Sequence, residues 1–371
     1  MHLQLLPSFL ATDSHSNVDS GPPDRTILQP VPTRTKIKIN RFMGVNHPQF
    51  NGVGSELIGP AMNLQFPDGK SFAFTVFDDT DNATVENVRP VYDLLYEYGI
   101  RTTKSVWVYP PRGTFVGSSL QDKTYVRFLI ELKERGFEVG LHNVGDGRFS
   151  REEIQEGFEL FREILGHYPS IHANHAANPD NLYWWDKRFE WPISMFYRHF
   201  GDRPSEHGGE TPASELFWGD IAKQHIRYIR NLTFNGINTL AHDPRMPYQV
   251  DSKSACSNLW FSSSDGHTVR EFSDLISTGN VDRLEAEGGI CIVYTHFASG
   301  FVGPDGSVHS EFERNLRQLA RRSGWFVPVT TLLDFLYSQH GHGRDPGYLY
   351  RLGTNLRWGV QRISKKVHYG R

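Results

Sequence analysis

Three aspartates follow a short apolar segment near the start of the regular part of the chain. Residues 72–77 read Phe-Ala-Phe-Thr-Val-Phe, and Asp78, Asp79 and Asp81 come directly after them. Such a run is typical of a buried strand, and ligands gather at the carboxyl ends of strands in α/β folds. Carboxylates this close repel one another, and a bound cation is the simplest way to offset the repulsion. One aspartate could instead cap the next helix, but a cap does not account for two or three.

Polar side chains also follow three other predicted strands. They are His142 and Asp146, then His172, Asn174 and His175, and finally His296. Because the carboxyl ends of barrel strands meet at one rim, we expect these groups to lie near the aspartates. Asp and His around one point suit a divalent transition metal with an open position for water. A carboxylate can then accept a proton and a histidine can donate one to the leaving group, so the pattern predicts metal-assisted hydrolysis.

Strand and helix patterns alternate along most of the chain, which is typical of βαβ units and a parallel sheet. The predicted strands are 71–77, 102–108, 137–142, 170–174, 226–234, 258–262, 290–295 and 325–329. Seven or eight strands favour an α/β fold in the form of a distorted (β/α) barrel, and an open doubly wound sheet is the alternative.

The two ends of the chain differ from the middle. Residues 1–40 show no steady period and are predicted to be a mobile lead-in, while residues 41–340 form the barrel. Residues 341–371 have the pattern of a basic amphipathic helix. This tail could lie on an anionic membrane surface or contact another subunit, but packing on its own barrel is the simpler interpretation.

Composition excludes several classes of protein. A formal net charge of −3 gives no basic field for nucleic acid. Cys256 and Cys291 are the only cysteines, which excludes a disulfide framework and a Cys-rich metal site. The apolar patch at the amino terminus has no basic leading segment, and the run 290–294 is too short to span a bilayer. We therefore expect a cytoplasmic protein.

The motifs resemble those of the polysaccharide deacetylases, a family of metal-dependent carbohydrate esterases that includes chitin and peptidoglycan deacetylases. The segment 77–80, Phe-Asp-Asp-Thr, is similar to the T-F-D-D-G motif of that family. His142 is similar to the first histidine of the H-[ST]-x-x-H motif. The segment 294–296, Tyr-Thr-His, is similar to the late L-x-H motif. The resemblance covers residues 70–340, with the motifs in the family's order.

The resemblance implies a role for each matched residue. Asp78 would be the catalytic base, Asp79 and His142 metal ligands, and His296 the catalytic acid. Asp146 stands where the family has its second histidine, so the third ligand is either Asp146 or His175. The implied cofactor is a divalent metal ion, zinc first, with cobalt, manganese or nickel as alternatives. The implied substrate is a carbohydrate that carries N- or O-acetyl groups.

Two further departures point to a divergent branch. Thr80 replaces the glycine of the first motif. The family's Arg-Pro-Pro segment is replaced by residues 172–185, which we expect to contact the substrate. The side chains concerned are His172, Asn174, Asn178, Asn181 and Trp184.

Two rival hypotheses remain open at this stage. The segment 79–81, Asp-Thr-Asp, resembles the D-x-D motif of haloacid-dehalogenase-type phosphatases, although Ala83 stands where that family has Thr or Val. A sugar-binding barrel that has lost its metal is the non-catalytic alternative, and the missing second histidine favours it.

Overall fold

Seven parallel strands close into a barrel in the computed structural model, which describes residues 64–176, 178–200, 207–339 and 343–369. The predicted lead-in, 1–40, lies outside the described residues. The strands are β1 (Phe72–Asp78), β2 (Thr103–Val106), β3 (Glu138–Leu141), β4 (Ile171–Ala173), β5 (Tyr228–Phe234), β6 (Leu259–Asp265), β7 (Ile290–Thr295) and β8 (Gly324–Trp325). Strands β1 to β7 pair in chain order, and β7 pairs back to β1. The predicted (β/α) barrel is therefore confirmed, and the open sheet is not formed.

Strand β8 lies outside this ring and pairs only with the first residues of β1. It covers two residues rather than the five predicted over 325–329. Pro328 explains the early end, because proline has no N–H to donate to a strand ladder and instead suits the start of a helix. The next helix accordingly begins at Val329.

The helices connect the strands and cover the outside of the barrel. They are α1 (Val85–Glu97), α2 (Lys123–Glu134), α3 (Arg151–Leu165), α4 (Ile193–Phe200), α5 (Gly219–His225), α6 (Thr239–His242), α7 (Val269–Leu275), α8 (Thr278–Ala286), α9 (Ser310–Ala320), α10 (Val329–Gln339) and α11 (Tyr348–Tyr369). None of the helices in the described part of the chain is both long and apolar enough to cross a membrane.

Helices α1 and α3 are capped by residues other than the three aspartates. Helix α1 begins with a capping box between Thr84 and Asn87, so none of the aspartates caps it. Helix α3 begins with the capping box of Ser150 and Glu153 that the sequence predicts.

Strand β1 is buried along its whole length because both of its faces are covered. Phe74 packs edge-to-face against Phe272 of helix α7, on the outside of the barrel. Phe77, three residues later, packs against Phe261 of β6. The side chains of β1 thus alternate between the helical layer and the barrel interior, and this alternation continues into the aspartates.

The tail forms helix α11 and packs on the barrel. Trp358 contacts the rings of Phe189 and Tyr197. Lys365 reaches the end of β6, where its Nζ lies 2.9 Å from Oδ2 of Asp265. The other face leaves four apolar side chains exposed, Leu349, Leu356, Val360 and Ile363. Membrane or subunit contact through this helix stays a prediction.

Candidate metal centre

A polar cavity of about 240 Å³ opens at the carboxyl ends of the barrel strands. Residues after β1, β3, β4, β6 and β7 line it, together with β5 and helix α11. The predicted rim therefore exists, and residues far apart in the sequence meet there because parallel strands end at one side of the barrel.

Three ligand atoms converge at the edge of this cavity. Oδ1 of Asp81 lies 3.2 Å from Nε2 of His142 and 3.4 Å from Nε2 of His175. All three side chains are buried, and their potential ligand atoms lie within 4.8 Å of one another. A carboxylate and two imidazoles at this spacing can hold a metal ion.

Hydrogen bonds behind the two imidazoles fix which nitrogen faces the centre. Nδ1 of His142 lies 2.9 Å from the carbonyl oxygen of Ala173, which can only accept. Nδ1 of His175 lies 3.1 Å from Oδ1 of Asn178, and that oxygen also accepts the Gly147 N–H at 2.9 Å. Each ring therefore carries a proton on Nδ1 and directs Nε2 toward Asp81, the orientation in which histidines bind metal ions.

The environment of Asp81 fits a cation. Its Oδ1 is buried and has no hydrogen-bond partner within the described ranges. Burial raises the pKa of Asp81, but the three nearby imidazoles, His142, His175 and His296, lower it well below its ordinary value, so the carboxylate is ionised. A buried anionic oxygen without a hydrogen-bond partner is unfavourable, and a bound cation would offset that cost. A donor set of two nitrogens and one oxygen suits zinc and related divalent ions.

Asp79 is held by an arginine from the opposite side of the barrel. Nη1 and Nη2 of Arg230, on β5, donate to Oδ1 and Oδ2 of Asp79 at 2.7 and 2.6 Å. Burial raises the pKa of Asp79, but Arg230 and the neighbouring His142 lower it below its ordinary value. Oδ2 of Asp79 lies 3.8 Å from Nε2 of His142, so this carboxylate borders the three ligand atoms without joining them.

Asp78 points away from the cavity. Its Oδ2 accepts the Tyr92 hydroxyl at 2.9 Å and lies 3.0 Å from Nζ of Lys104, while Oδ1 accepts the Phe297 N–H at 2.8 Å. Burial raises the pKa of Asp78, and Lys104 only partly offsets this. The predicted base is thus enclosed in an ion pair beneath the helices, because strand alternation turns Asp78 outward and Asp79 inward.

His296 faces the same centre from the end of β7. Its Nε2 lies 3.1 Å from Oδ2 of Asp81, on the side away from His142 and His175. Burial lowers the pKa of His296, but the Asp81 carboxylate raises it, and the net pKa lies above the ordinary value. The predicted acid therefore borders the cavity.

Asp146 lies behind His175 rather than at the centre. Its Oδ1 is 3.7 Å from Nδ1 of His175, and its Oδ2 accepts the Phe115 N–H at 2.9 Å. A Cβ on Gly113 would come within 2.5 Å of Oδ1, so the loop wraps tightly around this carboxylate. Of the two candidates for the third ligand, His175 has its Nε2 beside Asp81 and His142, whereas Asp146 lies against Nδ1 of His175.

The predicted substrate residues divide into two groups. Asn174 and Trp184 line the cavity. His172, Asn178 and Asn181 are buried away from its walls and hold the loop in place. Nδ2 of Asn181, for example, donates to the carbonyl oxygen of His175 at 2.6 Å. Burial lowers the pKa of His172 to about 3, so this ring is neutral.

Sequence reasoning missed several residues at this site. The sequence predicts Asp81 only as a member of the acidic cluster. Strand alternation, which is visible in the sequence, already indicates that Asp78 and Asp79 point to opposite sides of the barrel wall. A charged residue inside the apolar strand β5 was the signal for Arg230. The other residues missed are Arg188, Asp265, His267, Arg362 and Lys365.

No protein-family model matches the chain, and no curated protein matches it. Solved structures similar to it include a probable polysaccharide deacetylase from Pseudomonas aeruginosa PAO1, at 10% identity and a TM-score of 0.45, covering 74% of this chain and 94% of that chain. The peptidoglycan deacetylase PdaC from Bacillus subtilis is 13% identical, with a TM-score of 0.35 and coverage of 73% and 93%. A family 4 acetyl xylan esterase from Clostridium thermocellum, in complex with a cobalt ion, is 12% identical, with a TM-score of 0.34 and coverage of 73% and 92%. The similarity is thus to polysaccharide deacetylases and related esterases, the family that the sequence motifs resemble.

Proposed function

We propose that this protein is a metal-dependent hydrolase that removes N- or O-acetyl groups from a carbohydrate. The observation that carries the proposal is the convergence of Asp81 Oδ1 with the Nε2 atoms of His142 and His175. The resemblance of the sequence motifs to those of the polysaccharide deacetylases supplies the acetylated carbohydrate as the substrate class.

Asp81, His142 and His175 would hold the ion, with zinc the first choice and cobalt, manganese or nickel as alternatives. When bound, the ion supplies Lewis-acid polarisation of the acyl carbonyl and of a water molecule. The ligand role moves from Asp79, as the sequence motif implies, to Asp81, two residues later.

The proton carriers in this proposal are Asp79 and His296. Asp79 is ionised, lines the cavity and is oriented by two hydrogen bonds from Arg230, so it can accept the proton of the attacking water. His296 lies across the centre and donates a proton to the nitrogen or oxygen that leaves. The base is therefore Asp79 in place of Asp78.

The matched pair Asp79→Asn and Asp81→Asn tests these assignments, because the two variants make the same change two residues apart. Elemental analysis should find about one ion per chain in the wild type and in Asp79→Asn, and none in Asp81→Asn. Acetate release from acetylated xylo- and chito-oligosaccharides should be lost in both variants. Thermal melts report whether each variant is folded.

Other outcomes would contradict the proposal in distinct ways. Metal lost from Asp79→Asn and kept by Asp81→Asn would return the ligand role to Asp79. A wild type that binds no metal after incubation with zinc, cobalt and manganese would favour the non-catalytic hypothesis, a sugar-binding barrel. The phosphatase hypothesis is disfavoured because a phosphatase of that kind needs neither His142 nor His175, and both converge on Asp81 here.

A further inference from the structure

Arg188, in the wall of the same cavity, is a cation that no carboxylate of the described residues pairs with. It ends the short 3₁₀ turn Trp185–Arg188 between β4 and β5, and it lines the cavity together with Asp81 and His142. Within the described ranges its hydrogen bonds go only to Asn231, with Nε donating to Oδ1 at 3.4 Å and Nη2 donating to the backbone oxygen.

Aromatic rings hold the guanidinium group in one orientation. Its central carbon lies 4.3 Å from the ring centre of Trp184, 5.7 Å from that of Phe189 and 5.8 Å from that of Trp358. Cation–π contacts and the two bonds to Asn231 fix the plane, but they use only part of the five donors that arginine carries. Nη1 donates to no atom of the described chain, so one edge of a fixed guanidinium is available to a ligand.

The other charged side chains that line the cavity are paired among themselves and leave Arg188 without a counter-ion in the described part of the chain. Arg230 is paired with Asp79. Arg362 and Lys365 both pair with Asp265, at 3.1 and 2.9 Å. The third carboxylate in the wall, Asp81, belongs to the metal centre. Burial and the nearby Arg362 lower the pKa of Arg188 to about 9, which leaves it charged at neutral pH. A half-buried cation is unfavourable without a counter-ion, and a bound divalent ion would make the cavity more positive still.

We propose that Arg188 binds a carboxylate group of the substrate, so that the carbohydrate entering the cavity contains a uronic acid unit. The geometry favours a carboxylate, because the free edge of a planar guanidinium matches its two oxygens. This inference rests on the proposed function for the identity of the ligand as a carbohydrate. Since one cavity of about 240 Å³ contains both Arg188 and the metal centre, the acetyl group and the carboxylate lie on the same sugar unit or on adjacent ones.

Binding can be measured separately from hydrolysis. Oligosaccharides of glucuronate, galacturonate and mannuronate, each beside its carboxyl-reduced counterpart, and a sulfated oligosaccharide are titrated calorimetrically into the metal-loaded wild type, Arg188→Gln and Arg188→Lys. A bidentate charge-assisted pair gives at least about tenfold tighter binding of an acidic oligosaccharide. We expect this preference in the wild type for at least one sugar, its loss in Arg188→Gln and partial retention in Arg188→Lys. Arg148→Gln is the matched control, because Arg148 is exposed and pairs with Glu215 outside the cavity.

Three results would overturn the proposal. The first is that no acidic oligosaccharide binds more tightly than its neutral counterpart. The second is a preference that persists in folded Arg188→Gln. The third is a stronger, Arg188-dependent preference for a sulfated oligosaccharide, which would exclude the carboxylate assignment. Acetate release from acetylated forms of the same sugars tests the hydrolase separately, since an Arg188-dependent preference without acetate release would contradict only the proposed function.

Discussion

The three aspartates at the carboxyl end of β1 are chemically identical but lie in three different environments. Asp78 lies in a buried ion pair with Lys104, Asp79 is bonded to Arg230, and Asp81 faces the Nε2 atoms of two imidazoles. The sequence predicts that the cluster is functional, but residue type alone does not assign the roles. Arg230 lies 151 residues from Asp79 along the chain, so its contact follows from barrel closure and not from any local pattern.

Replacing Asp78 should cost stability and leave the metal centre in place. Asp78→Asn leaves the ammonium group of Lys104 buried without its counter-ion, which costs about 3–5 kcal/mol of the free energy of unfolding. Urea titration measures that loss, and elemental analysis of the folded protein should still find the metal. The double variant Asp78→Asn, Lys104→Met should be more stable than Asp78→Asn alone. A cost below about 1 kcal/mol would contradict the ion-pair role.

The side-chain amide of Asn178, which contacts the ring of His175, should strengthen metal binding. Asn178→Ala removes the acceptor at Nδ1 of His175, so we expect the affinity to fall about 10- to 100-fold. Competition with a chelator measures it. Asn181→Ala is the control, because Asn181 is a buried amide that contacts the backbone oxygen of His175 and not its ring. Equal losses in the two variants would show that the effect is general to the loop.

At the scale of elements, most of the architecture could be predicted. The strand positions follow the apolar runs closely, since a buried parallel strand needs a continuous apolar segment. The predicted β8 is too long because the apolar character of residues 325–329 indicates a strand, whereas Pro328 interrupts the pairing. Sequence reasoning placed helix α11 on the barrel, but it did not foresee that Arg362 and Lys365 would reach the cavity. That placement depends on which turn of the helix meets the rim.

Breaking the contact between α11 and β6 should reduce stability in a pH-dependent way. Burial raises the pKa of Asp265, but Arg362 and Lys365 lower it below its ordinary value. This carboxylate therefore contributes stability above its unfolded pKa of about 4, and the contribution is lost as the pH falls through the folded pKa. Lys365→Met should cost about 3 kcal/mol at neutral pH and less at about pH 3.5.

Urea titrations at the two pH values measure the difference for Lys365→Met. The control is Arg314→Met, because Arg314 forms an exposed pair with Glu311 that should contribute less than about 1 kcal/mol at either pH. A cost for Lys365→Met that does not change with pH would contradict the role of Asp265.

At the scale of the whole molecule, the metal centre joins segments that follow three different strands. Asp81 follows β1, His142 follows β3 and His175 follows β4. An ion bound by all three favours the folded state, by about 4 kcal/mol when its free concentration is a thousand times the dissociation constant. Chelation should therefore lower the melting temperature of the wild type and leave that of Asp81→Asn unchanged. Equal shifts in both proteins would place the stabilising ion elsewhere.

The closure of the ring by β1 and β7 has a consequence for biosynthesis. The first strand of the barrel cannot complete its pairing until residues 290–295, more than two hundred positions later, have left the ribosome. Contacts so distant in sequence make the final folding step slow. The three candidate metal ligands, by contrast, all come from the first half of the described barrel, ahead of Arg230 and His296. On the proposed assignments, a nascent chain thus contains every ligand for the ion before it contains Arg230, which would orient the base, and His296, which would supply the acid, so hydrolysis could begin only once the last strand of the ring has paired.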